Sequence, residues 1–449
     1  MSWQSEPDDA VTQLTAIMQR EAVIEKPHID PDLRSKRRRF GIVVAGIVVL
    51  ALVAAAGTYV GIVLNLPLKA ADANFEAPEV ETPAAAELAM APEGASAVSV
   101  TGAEDYLGPD ASGIWAASGG NAARPIASIT KLITALVILD AKPLKGPDDA
   151  GPTLTFDKAD HALYDKYYVL GATIAAMPTN STMSEHDALE VMLVASATNY
   201  AEAVASWAFG SNGAFVNATR EWLAANGLQH TTIVEPTGLD ARNTSTPTDL
   251  MALARIAAAD PVVAQIVAMP LLDIPNFEQL LNTNDMLGTG GINGLKTGTL
   301  TGIGSNLLFT AQLPVGLEQP LSVTGVVLGG YSHESVNLDV VTLLRSIADG
   351  FHEVQVADAL QEVGTYSTPW GESAQMVLSE GASLVTWSDT PITATMETST
   401  LTTAAKGERV GSVTFTAGPN TVSVPVVLGS TIAPPDDWWK LTHPFELGE

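Results

Sequence analysis

A serine and a lysine stand three residues apart in Ser128-Ile129-Thr130-Lys131, at the start of a run whose apolar residues recur at helical spacing. Positions i and i+3 of a helix share a face, so both side chains can point into one cleft. A serine hydroxyl is a weak nucleophile until a base takes its proton, and a lysine with a depressed pKa can be that base. The pair predicts covalent catalysis on Ser128 with Lys131 as proton acceptor. Alone, the pattern also fits an ordinary helix start with an exposed lysine.

A second polar group occurs in Lys296-Thr297-Gly298-Thr299, which follows a glycine-rich segment and precedes an apolar, strand-like run. On a strand with a small residue, a substrate backbone can lie alongside while the cation and the hydroxyls bind its carboxylate. We interpret these four residues as a substrate-binding strand. The alternative for this short stretch on its own is a surface loop.

Ser196 lies between the two groups, in the stretch Ser-Ala-Thr-Asn-Tyr-Ala. Alone it would be an ordinary small residue of a packed helix. In chain order, however, Ser-x-x-Lys, a serine and Lys-Thr-Gly form the signature of penicillin-binding proteins and serine β-lactamases. Over about residues 96–352 the chain resembles the D-alanyl-D-alanine carboxypeptidases, the low-molecular-mass penicillin-binding proteins, most clearly in RPIASITKLITA, EPTGLDARNTSTPTDLMALAR and NTNDMLGTGGINGLKTGTLTGIGSNLLFTA.

The resemblance implies an acyl-enzyme mechanism without a cofactor. Ser128 would attack the carbonyl between two D-alanines of a peptidoglycan stem peptide, Lys131 would accept its proton, and Ser196 would relay a proton to the leaving amine. The backbone N–H groups of Ser128 and Thr299 would form the oxyanion hole. β-Lactam antibiotics would acylate the same serine. The terminal carboxylate would be bound by the later polar group: Lys296, Thr297 and Thr299.

The middle motif departs from the family pattern. Where the family has Ser-x-Asn, this chain has Ser196-Ala197-Thr198, and the asparagine follows one position later as Asn199. A threonine has no amide group, so Thr198 cannot accept and donate hydrogen bonds as asparagine does. Either the chain shifts locally to present Asn199 to the substrate, or turnover is altered. Thr198 and Asn199 are both kept as candidate substrate-binding residues.

Two other functions remain as alternatives. One is a serine β-lactamase, which shares the serine-lysine and Lys-Thr-Gly groups but must deacylate the drug quickly. The other is a wall-binding scaffold that keeps the fold without the chemistry, for which Thr198 is the main support.

The elements around these residues are predicted from apolar periodicity and from turn and cap residues. Helical patterns cover 125–140, 184–209 as one helix capped by Ser184, 214–225, 247–260 and 335–351. Strand-like runs cover 96–100, 113–118, 306–313 and 321–330, and short alternating stretches after 353 predict a small β domain. The resemblance implies an α/β (α+β) fold of the penicillin-binding-protein and β-lactamase type, with an antiparallel sheet and a helical subdomain.

Composition excludes several kinds of chemistry. The 449 residues contain no cysteine, which removes disulfides, thiolate metal sites and cysteine nucleophiles. The 7 histidines are scattered singly, so we expect no metal site. The formal net charge is −28 and falls entirely after residue 64, which argues against nucleic acid as a partner.

Residues 40–64 carry no charge, enough for a helix across a bilayer, and four basic residues stand at 36–39 directly before them. The positive-inside rule then places the N-terminus in the cytoplasm. A cleaved signal peptide is the alternative, but its apolar region would be shorter. We therefore expect a single-pass membrane protein with five parts: a cytoplasmic tail 1–39, a membrane helix 40–64, an Ala/Pro/Glu-rich tether 65–95, an extracellular catalytic domain 96–352 and a β-rich domain 353–449.

Overall fold

The computed structural model describes residues 31–275 and 277–448. Most of the predicted cytoplasmic tail therefore lies outside the described residues. The helices are α1 Pro31–Leu64, α2 Glu104–Leu107, α3 Thr130–Ala141, α4 Lys158–Tyr168, α5 Glu185–Val194, α6 Thr198–Phe209, α7 Asn212–Ala225, α8 Pro247–Ala259, α9 Pro261–Val267, α10 His333–Asp349 and α11 Asp437–Thr442.

The strands fall into one sheet in the middle of the chain, one in its C-terminal part, and short pairs. Their bounds are β1 Asp72–Phe75, β2 Ala95–Thr101, β3 Ala116–Ser118, β4 Arg124–Pro125, β5 Thr153–Thr155, β6 Thr182–Ser184, β7 Thr244–Ser245, β8 Leu271–Leu272, β9 Leu280–Leu281, β10 Ile292–Leu300, β11 Gly304–Leu313, β12 Leu321–Gly330, β13 Phe351–Ala357, β14 Glu362–Ser367, β15 Ser373–Leu378, β16 Ala382–Trp387, β17 Ile392–Thr398, β18 Arg409–Ala417 and β19 Asn420–Leu428.

Helix α1 contains the predicted membrane segment. Its part Ser35–Leu64 has a mean hydropathy of 2.7 and is the one single helix of the described residues that is long and apolar enough to cross a membrane. Its apolar side chains have no protein around them over most of this length. Near its end, the hydroxyl of Tyr59 donates to the carbonyl of Leu441 at 2.7 Å, so α11 lies beside the end of the apolar segment.

A five-stranded antiparallel sheet in the order β10-β11-β12-β2-β3 forms the centre of the catalytic region. Alternation along a strand sends successive side chains to opposite faces. In β11, Leu308 therefore packs with the helices α3, α5, α6 and α8, whereas Leu307 and Phe309 pack with α10 on the other face. The edge strand β10 is thus held between two apolar layers, and it carries the predicted substrate-binding residues.

The predicted helix 184–209 is two helices. Ser184 caps α5 as expected, with its hydroxyl accepting from the backbone N–H of Asp187 at 3.0 Å, and α6 ends at Gly210 in the left-handed conformation. Between them the helix breaks at residues 195–197, where Ser196 has a φ of 57°. The single-helix prediction was wrong because apolar residues continue through the break. The break takes Ser196 out of the helix and into a connecting turn.

The tether predicted for residues 65–95 is also corrected. Residues Asp72–Phe75 form strand β1, which pairs with β14 at the edge of the C-terminal sheet, in the order β1-β14-β15-β19-β18-β17. Further along, the backbone N–H groups of Ala86 and Ala89 donate to Ser388 and Ser346. The segment is poor in apolar residues, but backbone pairing and a few small buried side chains are enough to fix it.

A substitution at Gly364 of β14 tests the pairing of β1 with β14. A Cβ at this position would lie 2.6 Å from the carbonyl oxygen of Asn74 and 2.7 Å from the Cβ of Phe75. We expect Gly364→Ala to push β1 away, to lower the free energy of unfolding by about 1–3 kcal/mol, and to expose Glu76 to a glutamate-specific protease. Gly146→Ala is the matched control, since a Cβ there meets nothing within 4 Å. Equal resistance of both variants to the protease would contradict the pairing.

Candidate active site

Ser128 lies in a single 3₁₀ turn, Ala127–Ile129, that leads into α3. The turn begins with Ala127 at a φ of 49°, a left-handed conformation that a non-glycine residue adopts at a cost. The residue before the turn is fixed, because the backbone N–H of Ile126 donates to the carbonyl of Asn243 at 3.0 Å. The short strands β4 and β7 pair just before it. These contacts fix the backbone before Ser128, whose side chain is half-buried.

Lys131 lies in the first turn of α3 and its side chain is fully buried. Its ammonium nitrogen donates to Ser128 Oγ at 2.9 Å and to the carbonyl oxygen of Thr237 at 2.7 Å. Burial lowers the pKa of Lys131 to about 7, and the nearby Glu235 carboxylate acts in the opposite direction. A lysine with this pKa exists in part as the neutral amine at physiological pH. The Ser128–Lys131 pair therefore has the geometry and the protonation of a nucleophile with its base.

Strand β10 passes directly over the Ser128 turn. A Cβ on Gly298 would lie 2.9 Å from the carbonyl oxygen of Ile126 and 3.0 Å from the backbone nitrogen of Ser128. Only a glycine lets the two backbones approach this closely. The amide of Asn306, opposite Gly298 on β11, also donates to the carbonyl of Pro125 at 3.1 Å. The glycine thus brings β10 against the turn that carries Ser128.

The polar residues of β10 form a second set of contacts beside this approach. Lys296 Nζ and Thr297 Oγ1 both bond to the hydroxyl of Thr283, at 3.0 and 2.8 Å, and Thr299 Oγ1 lies 3.1 Å from Ser305 Oγ. Lys296 is buried, and both this burial and the nearby Lys131 lower its pKa. No carboxylate pairs with Lys296 among the described residues. The arrangement gathers one buried amine and several hydroxyl groups on one strand, the donor groups that could bind an anion.

The middle motif is arranged differently from its family pattern. Asn199 is fully buried, and its amide accepts from the backbone N–H of Ala175 at 3.1 Å and donates to the same residue's carbonyl at 2.8 Å. Both polar atoms are therefore in use, so the structure does not support a local shift that presents Asn199 to substrate. Thr198 begins α6, and its backbone N–H donates to the carbonyl of Thr173. Within the part of the chain that is described, no hydrogen bond reaches the Ser196 hydroxyl.

Sequence reasoning missed three residues that complete the site: Glu235, Thr237 and Thr283. Thr237 supplies the carbonyl for Lys131, and Thr283 joins Lys296 to Thr297. All three lie in loops that carry no periodic pattern. Their only signal is that they fall within two stretches that carry the family resemblance.

Known proteins resemble this chain in both sequence and fold. A family model described as D-alanyl-D-alanine carboxypeptidase matches residues 110–330. A D-alanyl-D-alanine endopeptidase of Pseudomonas aeruginosa is 31% identical over 234 residues, which cover 50% of this chain and 70% of that protein. The D-alanyl-D-alanine carboxypeptidase DacD of Salmonella typhimurium is 26% identical over 259 residues, which cover 56% of this chain and 64% of that protein. The crystal structure of DacD from Francisella tularensis matches 80% of this chain and 97% of its own, with a TM-score of 0.50 at 18% identity.

These matches define the protein as a serine-type peptidase with the transpeptidase fold of the penicillin-binding proteins. The chain belongs to the D-alanyl-D-alanine carboxypeptidase family. The fold class expected from the sequence is confirmed, with its antiparallel sheet, its helical subdomain and one N-terminal apolar helix. Activity on D-alanyl-D-alanine peptides of peptidoglycan and binding of β-lactams follow at the level of the family.

Gly298 is the residue whose substitution best tests the geometry of the site. We expect Gly298→Ala to reduce the rate of Ser128 acylation by about 100-fold, because a displacement of about 1 Å can have that effect on a positioned reaction. Acylation by a fluorescent penicillin measures this rate. Gly213→Ala is the control, because a Cβ on this helical glycine meets nothing within 4 Å. Wild-type acylation by Gly298→Ala would show that the close approach of β10 is not needed.

Proposed function

We propose that this protein is a D-alanyl-D-alanine carboxypeptidase that removes the terminal D-alanine from peptidoglycan stem peptides through an acyl-enzyme on Ser128. The observation that carries the proposal is the 2.9 Å contact between Ser128 Oγ and the buried amine of Lys131. The roles of the individual residues below are part of the same proposal.

In acylation, Ser128 Oγ forms a bond to the carbonyl carbon while its proton moves to the neutral amine of Lys131. The carbonyl oxygen becomes negative and accepts from the backbone N–H groups of Ser128 and Thr299, an interaction typically worth about 3 kcal/mol per donor. The bond to the terminal D-alanine then breaks, and its amine takes up the proton through Ser196. Water hydrolyses the ester and frees the shortened stem.

The terminal carboxylate identifies the substrate's free end. Lys296, Thr297 and Thr299 would bind it, and the support is that β10 carries one lysine amine and two hydroxyls on the strand that passes over the Ser128 turn. Its negative charge would raise the depressed pKa of Lys296 and stabilise the ammonium form. Thr198 would offer the substrate a hydroxyl group where the family has an amide. Asn199 would contribute indirectly, by fixing the loop around Ala175 through its two hydrogen bonds.

A cross-linked peptide is a second candidate substrate. The relatives of 31% and 32% identity are named D-alanyl-D-alanine endopeptidases, whereas those named carboxypeptidases are 26% identical. An endopeptidase would cut the amide within a cross-link by the same acyl-enzyme, with a larger leaving group. The two functions therefore differ in the room beside the leaving amine and not in the residues that react.

Mass spectrometry of the full chain in detergent separates these functions. We expect a penicilloyl adduct with benzylpenicillin that maps to Ser128 and is absent from Ser128→Ala. We expect D-alanine release from diacetyl-lysyl-D-alanyl-D-alanine, whereas monomer formation from a cross-linked dimer without D-alanine release would indicate the endopeptidase. An adduct without turnover of either peptide would favour the scaffold, and fast drug hydrolysis would favour a β-lactamase.

Acylation should depend on pH through Lys131. Only its neutral amine can accept the Ser128 proton, so the pKa of about 7 makes the rate rise with pH and reach half its plateau near pH 7. Below that pH we expect a fall of about tenfold per unit. The second-order rate constant for benzylpenicillin acylation, measured from about pH 5 to about pH 9, gives this profile. A flat profile to pH 5 would contradict the assignment of Lys131 as the base.

We also propose the membrane arrangement expected from the sequence. Residues 1–39 would be cytoplasmic, 40–64 would span the membrane, and the regions 96–352 and 353–449 would lie outside as the catalytic and β-rich domains. The apolar helix Ser35–Leu64 and the basic residues before its apolar core support this. Residues 65–95 would link the membrane helix to the catalytic domain as a packed segment.

A further inference from the structure

Glu235 begins a turn that touches the candidate base. Its carboxylate accepts from the backbone N–H groups of Thr237 and Gly238, both at 2.7 Å, and of Asp240 at 3.3 Å. A fourth donor, the amide of Asn243, reaches the same carboxylate at 2.8 Å. Four donors converging on one side chain fix the shape of the whole turn.

The turn is in contact with both catalytic candidates. The carbonyl of Thr237 accepts from Lys131 at 2.7 Å, and the preceding carbonyl, that of Pro236, accepts from the hydroxyl of Thr134 at 2.8 Å. A Cβ on Gly238 would lie 2.1 Å from the carbonyl oxygen of Ala127, directly before Ser128. The Glu235 carboxylate therefore shapes a piece of backbone that packs against the nucleophile and its base together.

We propose that Glu235 is a positioning residue for the reaction: its carboxylate holds the turn so that the Thr237 carbonyl orients the Lys131 amine toward Ser128. The inference rests on the proposed function, since it takes Lys131 as the base. A neutral amine has two N–H bonds and one lone pair. When one N–H is donated to Thr237, the lone pair can face the Ser128 hydroxyl.

The charge of Glu235 has a second effect. Lys131 becomes positive when it takes the proton of Ser128, and a buried cation is unfavourable unless an anion is near. Lys296 is a second buried lysine near Lys131, and a positive charge on either amine disfavours a positive charge on the other. Glu235 acts on Lys131 in the opposite direction. Glu235 also lines one cavity with Lys166 and Tyr167 of α4 and Glu202 of α6, and both the Lys166 ammonium and the Tyr167 hydroxyl donate to Glu202.

A matched control stands in the same turn. Asp240 is also acidic, but its carboxylate bonds to Arg242, with contacts of 3.0, 3.2 and 2.5 Å. Asp240→Asn therefore removes one negative charge from this turn without touching the contacts that reach Lys131. Glu235→Gln removes the charge that acts on Lys131 and replaces two acceptor oxygens by one.

The test is the pH profile of benzylpenicillin acylation of the full chain in detergent, for wild type, Glu235→Gln and Asp240→Asn. We expect Glu235→Gln to lower the plateau at least tenfold. Loss of the anion makes the ammonium form of Lys131 less stable, so the rising limb should move to lower pH by about one unit. Asp240→Asn should keep the wild-type plateau and limb. A loosened structure alone would admit water to Lys131, raise its pKa and move the limb to higher pH, so a limb that stays in place or moves upward in Glu235→Gln would overturn the proposal.

Glu235→Asp keeps the experiment decisive if the glutamine variant melts below the assay temperature. Its carboxylate is one methylene shorter, so it retains the charge but cannot reach all four donors. We expect the plateau of the acylation rate to be about tenfold below that of wild type, with the rising limb of the pH profile unchanged. A plateau equal to that of wild type would overturn the positioning role. If wild type itself gives no adduct on Ser128, the proposed function fails, whereas adducts with wild-type kinetics in the Glu235 variants overturn this inference alone.

Discussion

A buried amine next to a serine hydroxyl is the interaction on which the rest of the site depends. Lys131 is removed from water, and burial of an ammonium is unfavourable, so its pKa falls to about 7. The same burial that lowers the pKa of Lys131 would also isolate its amine, were it not for Thr237 and Ser128 as hydrogen-bond partners. The surrounding elements can be understood as what keeps this amine dry, oriented and beside the nucleophile.

Water is excluded from the Lys131 amine by an apolar core on one side and by strand β10 on the other. Helix α3 carries Lys131 into the apolar cluster formed with α5, α6 and α8, while β10 covers the Ser128 turn. The strand can approach because Gly298 lies against backbone atoms next to Ser128, and Gly238 allows the same close approach for the Glu235 turn. Strand β10 also carries a second buried lysine, Lys296. The site thus combines two buried lysines whose pKa values are both lowered.

Local patterns predicted most elements that position the site, and failed where structure depends on distant partners. Strand-like apolar runs predicted β11 and β12, and Ser184 caps a helix as expected. The break that frees Ser196 carries no glycine or proline, so apolar periodicity runs through it unmarked. Strand β1 exists only because β14, nearly 300 residues later, offers an edge. Glu235 and Thr283 act through contacts between loops, which no periodicity records.

The motif that departs from the family pattern shows how a site can keep its geometry while changing one group. Asn199 does not replace the missing amide, because it ties α6 to the backbone of Ala175. The tie fixes the loop that faces Thr198, whose own N–H is bonded to Thr173. The start of α6, which directly follows the turn that carries Ser196, is therefore bonded to the backbone of Thr173 and Ala175 without an asparagine at position 198. Thr198 has a hydroxyl where the family pattern has an amide, and neither Thr198 nor Asn199 takes part in the contacts that join Lys131 to Ser128 and Thr237.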